Sequence, residues 1–140
     1  MIAIIRIKGQ VKVDGDVKET LHRLRIRRKY ACTLINATPE NIKLINKIRN
    51  FVAYGTIDEK TLSELIKKRA MPKEKSQKID QEKVIKELKE KPINRINIKP
   101  FFRLHPPRGG IDAKKHFGVS KRGVLGDNKE KINDLIERML

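Results

Sequence analysis

Tryptophan is absent from the sequence, aromatic residues amount to 4%, and a single cysteine, Cys32, occurs in 140 residues. The lone thiol excludes an internal disulfide, and together with the lack of a leader-like apolar run it predicts a reducing, cytoplasmic setting. Nowhere is an apolar stretch long enough to cross a bilayer. Acidic residues are also scarce: 17 Asp and Glu stand against 34 Lys and Arg, a formal net charge of +17. Such an excess opposes compaction through self-repulsion, whereas docking on phosphates releases their condensed counterions, so a nucleic acid is the physically favoured partner. Hydrophobic residues at 38% and charged residues at 36% support one modest core, not a deep enzyme interior.

What is present begins with a β-branched run, Met1 to Ile7, apolar on both faces and therefore expected to be a central strand, with Arg6 leaning outward. Asp16 and Glu19 fit a capping pair for a helix with Val17, Leu21 and Leu24 on one stripe, ending in the cluster Arg25, Arg27, Arg28 and Lys29. A second strand is predicted over 31–36. Thr38 and Pro39 then supply a cap and a first helical residue. Ile42, Ile45 and Ile48 make that helix's apolar face, while Lys43, Lys47 and Arg49 project elsewhere. Residues 51–57 return as a third strand broken by Gly55. The order β-α-β-α-β predicts an α+β unit: a small three-stranded, ferredoxin-like sheet with two helices on one face, forming a core domain over 1–58. Strand directions are not legible.

From 59 to 140 a mainly helical and loop extension is expected. Thr61 to Glu64 reads as a helix start, and a lightly anchored helix follows over 80–91 with Val84, Ile85 and Leu88. Residues 93–98 have strand-like β-branched spacing. The segment Phe101-Phe-Arg-Leu-His-Pro-Pro-Arg-Gly-Gly110 is a rigid diproline corner carrying Arg103, His105 and Arg108, with the glycines allowing close backbone approach. Of the two adjacent aromatics at most one can stack on a base, since neighbours in an extended segment point opposite ways, and the expectation for both is that they anchor the core. Lys114, Lys115, His116, Lys121 and Arg122 continue a basic loop over 109–126, and a final helix capped near Asp127 or Asn128 shows Ile132, Leu135, Ile136 and Met139 on one docking face.

No metal or cofactor is expected. Cys32 with His22, His105 and His116 lacks ligand pairs at short spacing. As a nucleophile Cys32 has no neighbouring base, and its strand context predicts burial. The candidates for contact with nucleic acid are Lys8, Arg25, Arg27, Arg28, Lys29, Lys47, Arg49, Arg103, His105, Arg108, Lys114, Lys115, His116, Lys121 and Arg122. A solvated charged face is the plain alternative for each run. Two competing classes remain open: a DNA-binding or chromatin-compacting basic protein, and an RNA-processing enzyme using His105 or His116.

Three blocks taken in order, TPENIKLINKIRNFVAYGTI, then FFRLHPPRGG, then INDLIERM, resemble ribosomal protein thirty of the large subunit, in its archaeal form; the eukaryotic relative is large-subunit protein seven. The resemblance spans nearly the whole chain. It implies a structural, non-enzymatic constituent that binds large-subunit ribosomal RNA near the central protuberance, with 5S rRNA and neighbouring ribosomal proteins alongside, no membrane and no small-molecule substrate. It also implies that 1–58 corresponds to the compact bacterial protein and the remainder to an extension.

Overall fold

A computed structural model describes residues 1–9 and 11–140. Strands β1 (Ile2–Arg6), β2 (Ala31–Ile35) and β3 (Val52–Thr56) alternate with helices α1 (Gly15–Arg23) and α2 (Pro39–Ile48). There follow α3 (Glu59–Arg69), α4 (Gln81–Glu90), β4 (Phe102–Arg103), β5 (Asp112–His116), β6 (Gly123–Asp127) and α5 (Ile132–Met139).

The six strands form one mixed sheet in the order β4-β2-β1-β3-β6-β5. As its two apolar faces require, β1 lies between β2 and β3, antiparallel to both. β3 and β6 pair parallel, as do β6 and β5. Alternation along β1 divides the core. Ile4 packs with Val17 and Leu21 of α1 and Ile45 and Ile48 of α2. Ala3 and Ile5 face Leu65 of α3, Leu88 of α4 and Leu135 of α5. The first two helices therefore share one sheet face, as expected, and the second half of the chain covers the other.

The local signals held unevenly. Thr38 caps α2, its hydroxyl accepting from Asn41 N at 3.3 Å with Pro39 at the first helical position. Asp80 caps α4 in the same way. The expected Asp16 and Glu19 pair does not cap α1: the helix starts two residues earlier, after Asp14, and no side chain caps it. α3 likewise starts before Thr61, because Asp58 accepts from Thr61 N at 2.7 Å and a carboxylate supplies the cap. Residues 93–98 form a short 3₁₀ turn over Ile93–Arg95 and an isolated bridge at Ile98; the branched side chains Ile93, Ile96 and Ile98 are buried without a ladder. The 109–126 stretch is not simply a loop but holds β5 and β6, so the extension adds three strands to the sheet. Gly55 allows the close approach of α5: a Cβ there would overlap Lys129 O and come within 2.9 Å of the Ile132 side chain.

Candidate nucleic-acid interface

Arg6 is buried, at 1% exposure, and does not lean outward. It shares the β1 face of Ile4, and its guanidinium donates to four backbone carbonyls: Nε to Lys8 at 3.0 Å, Nη1 to Ile26 at 3.1 Å and to Arg27 at 2.7 Å, Nη2 to Gly9 at 3.3 Å. Burial pushes its pKa below the ordinary arginine value. A guanidinium tolerates such a site because its fork of donors can be satisfied without a carboxylate. The consequence is local order. The α1–β2 connection, which contains Arg25 to Lys29, is tied to the end of β1 by side chain and backbone together, Tyr30 N donating to Arg6 O at 2.7 Å. Arg25 and Tyr30 both have positive φ, 63° and 68°, strain that this tether sustains.

Beside this connection β4 forms the sheet edge, pairing Phe102 with Cys32 and Arg103 with Ala31. Phe102 is fully buried, so burial of its ring stabilises the fold by about 2 kcal/mol. Phe101 then points the other way, half-buried, into a cleft of about 380 Å³ lined by Arg25, Arg27, Arg28, Lys29, Tyr30, Arg103 and Phe101. Lys29 Nζ lies 5.0 Å from the Tyr30 ring centroid and the Arg103 guanidinium 5.8 Å from that of Phe101, so cations sit over both rings that face the cleft.

Strand directions gather most of the remaining candidates. β1 and β4 end where β2, β3, β5 and β6 begin, which brings Lys8, the Arg25 to Lys29 connection, Arg49 and Arg103 to one end of the sheet with Lys121 and Arg122. Lys47, in the last turn of α2, is exposed toward this end, and Lys8 Nζ lies 5.8 Å from the Phe51 ring. His105 and Arg108 follow β4 and are fixed by the end of α5: His105 N donates to Met139 O at 2.9 Å, Arg108 N to Arg138 O at 3.1 Å, and Arg138 Nε returns to Arg108 O at 2.9 Å. Lys114, Lys115 and His116 are not part of that cluster. They run along β5, the opposite edge, roughly 24 Å from β4 by strand spacing. The other end of the sheet carries Asp58, Glu59, Asp127, Glu130 and Asp134 among its lysines.

Sequence reading missed Arg6 and the lining role of Tyr30. The signal for Arg6 was its phase, since it falls on the same strand face as Ile2 and Ile4. Among the described residues no group of three or more His, Cys, Asp or Glu could hold a metal ion. Cys32 is fully buried, and desolvation pushes its pKa up to about 12, which leaves it an inert thiol.

The profile of the family described as ribosomal protein L30p/L7e matches residues 2–52. The large ribosomal subunit protein uL30 of Methanococcus maripaludis is 38% identical over 99% of this chain and 98% of its own length. The chain belongs to the L30p/L7e family. Proteins of the same name from Pyrobaculum islandicum and Nanoarchaeum equitans are each 38% identical, covering 99% and 100% of this chain and 93% and 99% of their own lengths respectively. Membership makes the L30p/L7e chain a structural constituent of the large ribosomal subunit, working in the cytoplasmic ribosome beside large-subunit RNA and other ribosomal proteins, and not an enzyme. It also accounts for the mixed α/β architecture with its ferredoxin-like first half.

Proposed function

We propose that this L30p/L7e protein fastens folded large-subunit RNA through lysine and arginine contacts to phosphate and ribose, and that the contacts centre on the basic end of the sheet. The observation carrying this reading is the convergence of Arg25, Arg28, Lys29 and Arg103, from two distant parts of the chain, on one cleft beside a connection ordered by the buried Arg6. A mere solvated face would not need strained backbone and a buried guanidinium to shape it. Residues 1–58 supply most of that end as the core domain, and 59–140 add Arg103, His105 and Arg108 as the docked extension. Lys114, Lys115 and His116 form a second contact along the β5 edge, and the sequence resemblance supports 5S rRNA and other proteins as neighbours.

The geometry disfavours an RNA-cleaving reading. His105 and His116 belong to opposite edges of the sheet, so they cannot serve together as acid and base on one phosphate, and a single histidine would act alone in a chain whose family is structural. A filter-binding comparison of large-subunit RNA with duplex DNA across salt concentrations tests the proposal. Tighter binding to RNA at every salt concentration is expected; equal affinity for both would favour the DNA-compacting alternative.

A further inference from the structure

We propose that the cleft between the Arg25 to Lys29 connection and β4 receives an unpaired, extrahelical nucleotide of the RNA, its base against the Phe101 and Tyr30 rings and its phosphate among the surrounding cations. This rests on the RNA-binding reading and goes beyond it, because backbone contact alone would not require a recess. Three features of the recess fit such an occupant. Its volume of about 380 Å³ falls in the range of pockets that enclose small organic groups. Its two rings are half-buried, one from the border of β2 and one from the approach to β4, so both are held by the sheet. Its described lining residues include Arg25, Arg27, Arg28, Lys29 and Arg103 and no carboxylate, which suits a group that is apolar on its face and anionic at its edge.

An intact A-form helix cannot fill this recess. Its bases are stacked and paired, and it offers a protein only phosphates, riboses and a shallow groove. A bulged or looped-out base presents a free π-face, which aromatic side chains and guanidinium planes stack on with little regard to base identity. The recess is thus a reader of RNA shape: it detects where a helix is interrupted. Lys29 and Arg103 already lie 5.0 Å and 5.8 Å from the centroids of the Tyr30 and Phe101 rings, so positive charge stands beside each ring that the base would meet.

The test uses the full chain and two RNA hairpins of equal length, one fully paired and one with a single bulged 2-aminopurine. The bulged hairpin should bind about tenfold more tightly, with 2-aminopurine emission quenched on binding, as expected when a base stacks on a ring. Phe101→Leu should abolish the preference and the quenching, while Phe101→Trp, which keeps a stacking surface, should retain both. Circular dichroism identifies variants that remain folded. Equal affinity of the wild-type chain for both hairpins, with a normal salt dependence, would overturn the cleft proposal and leave the backbone-contact reading standing. Failure to bind either hairpin, or binding without salt dependence, would overturn both.

Discussion

Arg6 connects a core strand to a surface that must hold its shape. Replacing it with methionine keeps the stem's apolar volume but strips donors from the buried carbonyl of Ile26 and the partly buried one of Arg27. Arg6→Met should therefore lower stability by about 2–4 kcal/mol, read from urea denaturation, and weaken RNA binding more than its one lost charge explains. A variant as stable as the wild type, with unaltered affinity, would show that the tether is dispensable. Cys32 gives a second residue-scale expectation. Buried on β2, the thiol holds its proton up to about pH 12, whereas in the unfolded chain it loses it near its ordinary value of 9.0. Between those values the unfolded state binds fewer protons, so stability must fall as pH rises through the window. Cys32→Ala should flatten that alkaline decline, and the native thiol should react with iodoacetamide only as fast as the chain opens.

At the level of elements, legibility followed how much of the signal was local. β1, β2 and β3 were readable from branched runs, α2 from its threonine and proline start, and α5 from four apolar residues on one stripe. β6, with the sequence GVLGD, was not, because its two glycines carry no pattern and its pairing with β3 is fixed only by distant contacts. β5, with the sequence DAKKH, reads as a charged loop; as an edge strand it keeps lysines that discourage further pairing. The cleft was half legible: the arginines stood out, but their meeting with Phe101 depends on β4 joining β2 across some 70 residues of chain. The start of α3 shows the same limit, since the Thr61 to Glu64 pattern pointed three residues too late and Asp58 supplies the cap. Its Thr61 backbone N–H bond holds the Asp58 carboxyl below the ordinary carboxylate value. The unfolded chain therefore takes up this proton first on acidification, and the stabilisation present above about pH 4 is lost as pH falls through the folded value. Asp58→Ala should cost about 1 kcal/mol at pH 7 and remove that share of the acid sensitivity, measured by thermal unfolding at pH 7 and pH 3.

Across the whole molecule, the charge of +17 is distributed unevenly, and the distribution makes a claim that the total does not. If attraction to RNA were a property of net charge alone, neutralising any two lysines or arginines would reduce binding equally. If the basic end of the sheet is the interface, position decides. Each cation that meets a phosphate displaces condensed counterions, so its removal should lower the slope of log affinity against log salt by about 0.7 to 0.9. Arg28→Gln with Arg103→Gln removes two charges from the cleft and should lower that slope by about 1.4 to 1.8. Lys60→Gln with Lys131→Gln removes the same charge from the opposite end, where Glu59 and Asp134 lie nearby, and should leave the slope within error. Both double variants are at exposed positions, so differences in folding do not confound the comparison. Equal changes from the two pairs would mean that the protein meets RNA as a diffuse polycation; a change confined to the first pair would mean that the sheet's strand directions, by gathering those residues at one end, build the interface.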